Sequence, residues 1–267
     1  MSATVLNGLI TEIAQGGIKM VDLTETLRPE YPTIQLPEEF KQALPFSAEV
    51  ISKYDGDGPA WYWQNITLSE HTGTHFDAPC HWVTGKDLPN GSTDTLIVEN
   101  MIAPVVVIDC SKEVAADKGF ILTVEHLQKW EAEHGTIPAG CWVFLRSDWR
   151  KVADPDNYTN MQEDGAHSPG PDVAACRWMI EERDVLGFGC ETVGTDAGQA
   201  FSFDPPYPHH YFFMGSGKYG LQCMTNLDQL PATGAVIISA PLKILNGSGS
   251  PLRVLALVPD RAQEPAQ

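Results

Sequence analysis

The sequence predicts one mixed α/β domain. At 267 residues and 43% hydrophobic content, the chain can bury a substantial core. No long polar linker, repeat or low-complexity stretch divides it. Short apolar runs alternate with segments of helical pattern, and strands that alternate with helices in this way are typical of mixed α/β domains.

The first predicted element is a short amphipathic helix over residues 3–15, which Gly16-Gly17 would end. Its apolar positions recur at helical spacing, at Val5, Leu9, Ile10 and Ile13. A lone terminal helix of this kind often docks on a neighbouring subunit, and we therefore expect a homodimer. The predicted organisation is an N-terminal helix, residues 1–20, as a candidate dimer arm, followed by a main domain, residues 21–267.

Five short apolar runs have the pattern of strands that are covered on both faces. They lie at residues 104–110, 141–146, 185–193, 235–240 and 253–258. Two helices are predicted between these runs. Thr123 can cap a helix over 124–134 with Glu125 in its first turn, and Pro171 stands at the start of a helix over 172–183.

Composition excludes several classes of partner. The formal net charge of −18 argues against nucleic acid or an anionic membrane as a partner. The six cysteines are dispersed and form no Cys-x-x-Cys pair, which indicates free thiols in a reducing compartment. The N-terminus lacks the pattern of a signal peptide, and no run approaches the ~18 apolar residues of a membrane span. We therefore expect a cytoplasmic protein.

The segment His-Thr-Gly-Thr-His-Phe-Asp-Ala-Pro-Cys-His at residues 71–81 indicates a metal site. Alternate side chains of an extended chain share a face, so four potential ligands would point the same way: His71, His75, Asp77 and His81. On a straight strand His71 and His75 would lie ~13 Å apart, too far to share one ion. The chain must therefore bend, and Gly73 is the residue best able to do so.

Two histidines and one aspartate leave open coordination positions, which is typical of a reactive metal site. The alternative is a hydrogen-bonded histidine cluster without a metal. Cys80 could complete a structural zinc site, but its odd offset points it to the opposite face, as expected of a packing residue. His81 could be a fourth ligand, a surface histidine or a base beside the metal, and we favour the base because hydrolytic sites need a proton carrier.

The segment also matches the signature His-x-Gly-Thr-His-x-Asp-x-Pro-x-His, and the sequence thereby resembles the cyclase family, which includes bacterial kynurenine formamidases and isatin hydrolases. The resemblance covers nearly the whole chain. Four further segments are more similar to the isatin hydrolases of the family: VTGKD, IDCS, GTDAGQA and ISAPLKI. The resemblance implies a kynurenine formamidase-like fold, an α/β domain with a mixed, barrel-like central β-sheet surrounded by helices.

Carried over by position, the resemblance implies metal ligands at His71, His75 and Asp77, with His81 as the residue that handles protons. In two-metal formamidases a downstream histidine, and a glutamate twelve residues later, complete a second site. Here that pair is His210 and Gln222. A neutral amide is a poor substitute for a carboxylate on a dication, so we expect one divalent metal per chain. This departure resembles the one-metal isatin hydrolases of the family, in which the metal is manganese, and the resemblance therefore implies Mn²⁺ over Zn²⁺.

The implied activity is metal-dependent hydrolysis of a cyclic amide, with isatin as the substrate and isatinate as the product. Water activated by the ion would attack the lactam carbonyl, and His81 would move the proton to the ring nitrogen. Two alternatives remain open: an arylformamidase that hydrolyses N-formylkynurenine, and a nonenzymatic metal-binding member of the fold. A cysteine hydrolase that uses Cys80 is disfavoured, because adjacent residues of an extended chain point apart.

Weaker assignments concern the substrate pocket or the surroundings of the metal. They are His210, Gln222, Cys223, Trp63 and Trp82. An alignment shifted by one residue would select His209 instead of His210, and a loop histidine without a role is the other alternative. The aromatic residues around the motif suit either a core or a planar substrate. Asp196, which follows an apolar run, is expected to be structural.

Overall fold

Nine strands form a mixed, curled sheet in the computed structural model, which describes residues 2–260 and the side chains of residues 4–260. In chain order the strands are β1 (Ile18–Asp22), β2 (Ser47–Asp55), β3 (Gly58–Thr67), β4 (His75–Asp77), β5 (Ile102–Asp109), β6 (Ile121–Leu122), β7 (Trp142–Arg146), β8 (Met161–Gln162), β9 (Gly165–Ala166), β10 (Gly170–Pro171), β11 (Gly187–Cys190), β12 (Tyr219–Gln222), β13 (Ala235–Ile238), β14 (Gly249–Pro251) and β15 (Leu255–Pro259). The α-helices are α1 (Ser2–Gln15), α2 (Ser111–Ala116), α3 (Val124–His134), α4 (Trp149–Val152) and α5 (Val173–Glu181).

The order of strands in the central sheet is β1-β15-β13-β5-β7-β11-β12-β4-β14. Strands β5, β7, β11 and β12 run parallel, and the remaining neighbours pair antiparallel. The predicted fold class, a single α/β domain with a mixed, barrel-like sheet and helices around it, is confirmed. The carboxyl ends of parallel strands meet at one edge of a sheet, where ligands of α/β proteins commonly bind.

Both faces of the sheet are buried, which explains why its strands are continuous apolar runs. Along β7, Val143 and Leu145 belong to a core cluster that includes residues of α3 and α5. The alternate residues Trp142 and Phe144 belong to a second cluster on the other face. This alternation follows from the two-residue period of a strand.

The predicted strands correspond to β5, β7, β11, β13 and β15, and the predicted helices to α3 and α5. Two details differ. The run at 185–193 is extended only as far as Cys190, and the N-cap of α5 is Asp172, whose carboxylate accepts a hydrogen bond from the Ala175 amide at 2.6 Å. Pro171 instead lies in β10, beside β6.

Helix α1 spans Ser2–Gln15, close to its predicted bounds, and ends at Gly16 with φ +80. Strand β1 begins at Ile18 and pairs with β15 at the edge of the sheet. The predicted division at residue 20 therefore falls inside a strand, because residues 18–20 find sheet partners. The exposed apolar side chains of the helix are Val5, Leu6, Leu9, Ile10 and Ile13.

Strands β2 and β3 form a separate antiparallel hairpin that leads into the histidine motif. Most of its residues are exposed. Its exposed large apolar side chains are Val50, Ile51, Tyr54, Trp61, Tyr62, Trp63 and Ile66. Among the helices of residues 2–260, none is long and apolar enough to span a membrane.

Candidate metal centre

The histidine motif is extended only in its middle. His71 lies in a turn, β4 carries His75 and Asp77, and a short 3-10 turn over Pro79–His81 follows. Gly73 makes the predicted bend with φ +65, and a Cβ at this position would lie 2.5 Å from Leu27 Cδ2. The predicted single extended face therefore holds for β4 but not for His81.

The 3-10 turn nevertheless returns His81 to the cluster, where its ring stacks on His71 with centroids 3.9 Å apart. His71, Asp77 and His81 each offer a ligand atom within 4.8 Å of the others. His75 Nε2 lies 3.5 Å from Asp77 Oδ1. The structure thus brings the three predicted histidines of the motif together around Asp77, which is fully buried.

His75 is held in one tautomer. Its Nδ1–H donates to the Gly73 carbonyl at 2.7 Å, so the lone pair is on Nε2, the nitrogen that faces Asp77. Burial lowers the pKa of His75 to about 4, so the ring is neutral at neutral pH. A neutral imidazole with a fixed second nitrogen is the form that binds metal ions.

The ring of His71 is fixed by a hydrogen bond to Ser248, a residue that was not predicted from the sequence. The Ser248 hydroxyl donates to Glu70 Oε2 at 2.7 Å, and it therefore accepts from His71 Nε2–H at 2.9 Å. His71 Nδ1 then turns its lone pair toward Asp77 Oδ1, 2.8 Å away. His71 Nδ1 and Asp77 Oδ1 would then both be acceptors, and two lone pairs at this distance repel unless a cation or a shared proton lies between them. The residues present therefore fit a divalent ion.

The second oxygen of Asp77 faces Gln222, whose Nε2 donates to Oδ2. Gln222 pairs with His75 across β12 and β4, and its side chain is buried. Burial alone would raise the pKa of Asp77, but the proton shared with His71 Nδ1 and the neighbouring rings hold that pKa well below its usual range. Asp77 is therefore a carboxylate, and the amide of Gln222 adds no second negative charge beside it.

His81 is not an ordinary surface histidine. Burial, together with the rings of His71 and His210, lowers its pKa to about 3 although Asp77 opposes the shift. The pKa of an unperturbed histidine is ~6.5. The half-buried ring is instead neutral at neutral pH. It is a weaker base than an unperturbed imidazole, and once protonated it is a stronger acid.

The structure places His210, and not His209, beside this cluster. His210 Nε2 lies 3.8 Å from Asp77 Oδ2, and the ring is 5.4 Å from that of His81. His209 stacks on Phe213 with centroids 4.3 Å apart, and its Nδ1 is 2.6 Å from Thr195 Oγ1. Burial lowers the pKa of His209 to about 3, as expected of a neutral packing residue.

Of the aromatic residues around the motif, Trp82 lies at the site. Its ring is 4.9 Å from His210 and 5.7 Å from Tyr207. Phe76 instead packs in the core against Trp142 and Tyr219. The predicted pocket residue Trp63 is 56% exposed on the β2–β3 hairpin, and within residues 4–260 it has no ring contact with the histidines.

Neither thiol near the motif has the surroundings of a nucleophile. Burial and the charge of Glu70 raise the pKa of Cys80, whose Sγ contacts the Gly247 carbonyl at 3.6 Å. Burial likewise raises the pKa of Cys223, and its carbonyl accepts from the Thr74 hydroxyl at 2.6 Å. The thiol forms are therefore favoured, which argues against a cysteine hydrolase.

Comparison with known proteins places the sequence in a family. A sequence model of the family described as “Putative cyclase” matches residues 21–197. An isatin hydrolase of Roseibium aggregatum is 50% identical over 262 residues, which cover 97% of this chain and 99% of that protein. A kynurenine formamidase of Salinibacter ruber is 26% identical over 201 residues, covering 73% of this chain and 80% of that protein.

Two solved structures share the whole fold. Isatin hydrolase A from Labrenzia aggregata, bound to benzyl benzoate, superposes with a TM-score of 0.94 at 59% identity and covers 96% of this chain and 100% of that one. An isatin hydrolase bound to the product analogue thioisatinate gives the same TM-score of 0.94 at 47% identity, covering 97% of this chain and 100% of that one.

Proposed function

The chain belongs to the cyclase family, and we propose that it hydrolyses the cyclic amide of isatin to give isatinate. The observation that carries this proposal is the near full-length likeness to isatin hydrolases in both sequence and structure. A solved relative binds thioisatinate, an analogue of the product of this reaction. The protein is accordingly a hydrolase of a carbon–nitrogen bond in a small aromatic substrate.

We propose that His71, His75 and Asp77 hold one divalent ion per chain, with Mn²⁺ favoured and Zn²⁺ as the alternative. The support is the convergence of the His71 Nδ1 and His75 Nε2 lone pairs on Asp77 Oδ1, at 2.8 and 3.5 Å. When bound, such an ion supplies Lewis acidity, which makes water a nucleophile and polarises a carbonyl. The nitrogen and oxygen donors suit both metals.

His81 is proposed to carry the proton. Its ring is neutral, stacks on the proposed ligand His71 and is partly shielded from solvent. It would accept a proton from the attacking water and deliver it to the ring nitrogen of the substrate as the C–N bond breaks. Without that proton the amine nitrogen is a poor leaving group, so this transfer lowers the barrier.

His210 and Trp82 are proposed to receive the substrate. The Trp82 ring lies beside His210 and offers a flat apolar surface to a planar molecule. His210 Nε2 points toward the same space, 3.8 Å from Asp77 Oδ2. Burial would lower the pKa of His210, but the hydrogen bond and charge of Asp196 raise it. The protonated ring would donate from Nε2–H to the substrate carbonyls or to the carboxylate of the product.

Gln222 favours isatin over the formamidase alternative. A glutamate at this position would set a second carboxylate against Asp77 and favour a second cation, whereas the amide donates to Asp77. The nonenzymatic alternative does not account for a neutral imidazole held beside the ligands, because a metal store needs no proton carrier.

The deciding experiment is an absorbance assay of the Mn²⁺-loaded protein on isatin and N-formylkynurenine in parallel, with the chelated protein as the control. We expect metal-dependent turnover of isatin and little or none of N-formylkynurenine. Preference for the formamide would establish the alternative enzyme, and turnover of neither would refute both.

We also propose a homodimer in which α1 and the β2–β3 hairpin cover a second copy of the chain. Both elements expose apolar side chains, and an isolated two-stranded hairpin is barely stable in water. A second copy would bury both surfaces. A cytoplasmic location stays a prediction from the dispersed cysteines, which are all unpaired.

A further inference from the structure

Asp196 contacts the site histidine His210 in two ways and its neighbour His209 in one. Its Oδ1 accepts from the His209 amide at 2.6 Å, and its Oδ2 accepts from the His210 amide at 3.3 Å. The same Oδ2 lies 2.5 Å from Nδ1 of the His210 ring. Asp196 is only 6% exposed, so these bonds form in a medium of low polarity. The two amide bonds alone would be structural, but the ring bond is not needed to hold the backbone.

The bond to Nδ1 determines which part of His210 faces the site. A carboxylate accepts only, so Nδ1 must carry a hydrogen, and Nε2 is the nitrogen that faces the site. That Nε2 points toward Asp77, and Trp82 covers the ring at 4.9 Å. The ring is therefore fixed by Asp196 at one nitrogen and by an aromatic contact, and it cannot turn without breaking both.

We propose that Asp196 is a positioning residue for the reaction, which holds the His210 ring so that Nε2 faces the substrate. This inference rests on the proposed function only in placing substrate beside His210. The arrangement is that of a carboxylate that orients an active-site imidazole from behind. It assigns a role to the GTDAG segment, in which the sequence predicted a structural carboxylate.

A double-mutant cycle tests the proposal. The variants are Asp196→Asn, His210→Ala and their combination, each loaded with Mn²⁺ and assayed on whichever of isatin and N-formylkynurenine the unaltered enzyme hydrolyses. Asp196→Asn should lower kcat/KM by about 10- to 100-fold, the usual effect of removing such an orienting partner. In the His210→Ala background the same change should cost little, because the residue it positions is gone.

A control separates positioning from folding. Thr195→Val removes the neighbouring hydrogen bond to His209 and leaves the Asp196–His210 pair intact, so we expect nearly unaltered kcat/KM. Thermal unfolding shows which variants are folded at the assay temperature. If Asp196→Asn is unfolded at that temperature, Asp196→Ser replaces it in the cycle. Serine keeps an acceptor for the His209 amide but does not reach the His210 ring.

Two results would overturn the inference. One is a folded Asp196 variant with the kcat/KM of the unaltered enzyme. The other is an equal loss of kcat/KM from the Asp196 change with His210 present and in the His210→Ala background, which would mean that Asp196 acts independently of His210. An unaltered enzyme that hydrolyses N-formylkynurenine and not isatin would refute the proposed function and leave the cycle to decide on Asp196.

Discussion

At His71, two hydrogen bonds decide which ring nitrogen is free for a metal. The Ser248 hydroxyl donates a hydrogen bond to the Glu70 carboxylate, and its oxygen accepts one from His71 Nε2–H. Ser248 is 177 residues from His71 in sequence, so no local pattern could have found this partner. Glu70 directly precedes the motif, but a carboxylate beside a histidine in sequence gives no indication of which atoms it contacts.

Ser248→Ala should therefore weaken metal binding. Without the hydroxyl, His71 is free to change tautomer and to rotate, and loss of such an outer partner typically lowers metal affinity about 10- to 100-fold. The measurement is a competition titration with a chromophoric chelator. Ser239→Ala is the control, because Ser239 is a buried serine whose hydroxyl has no hydrogen-bond partner within the described residues, whereas Ser248 is half-buried. Equal affinity of both variants would contradict the tautomer argument.

His81→Ala should separate proton transfer from metal binding. If His81 is the proton carrier, the variant keeps its metal and loses about 10²- to 10⁴-fold in kcat, the usual contribution of general acid–base catalysis. Metal content and isatin turnover are measured on the same sample. Loss of the metal would make His81 a ligand, and a wild-type rate would remove it from the mechanism.

At the scale of elements, the sequence predicted the long buried strands and both core helices, because strands buried on two faces are continuous apolar runs. It predicted the bend at Gly73 because only a bend lets the donors converge. It did not predict the 3-10 turn over Pro79–His81. The amides of that turn bond to distant segments, with Ala78 donating to Ser248 and Cys80 to Gly91, and these contacts override the extended pattern.

Gly73→Ala should destabilise the fold at the metal centre. An alanine at φ +65 costs about 1–2 kcal/mol in backbone energy, and its Cβ would overlap Leu27 Cδ2. We expect a lower midpoint of urea unfolding together with weaker metal binding. Gly8→Ala provides the control, since Gly8 lies in α1 with nothing near its Cβ position and alanine favours a helix. An unchanged midpoint for Gly73→Ala would refute the requirement for glycine at this bend.

At the scale of the molecule, the exposed apolar faces of α1 and the hairpin predict association. Ile10→Glu places a charge on the exposed face of α1 and should shift the protein toward the monomer in sedimentation velocity at micromolar concentration. Val98→Glu changes an exposed apolar residue outside both surfaces and should leave association unchanged. A monomeric wild-type protein, or equal behaviour of the two variants, would refute this interface.

The central claim is that one divalent ion, held by His71, His75 and Asp77, serves the hydrolysis of isatin. It is tested most directly by adding Mn²⁺ in steps to the metal-free protein while the rate of isatin hydrolysis is followed. We predict no hydrolysis without the ion and a rate that levels off at one equivalent per chain. A rate that rises until two equivalents are bound, or hydrolysis without any metal, would contradict the claim.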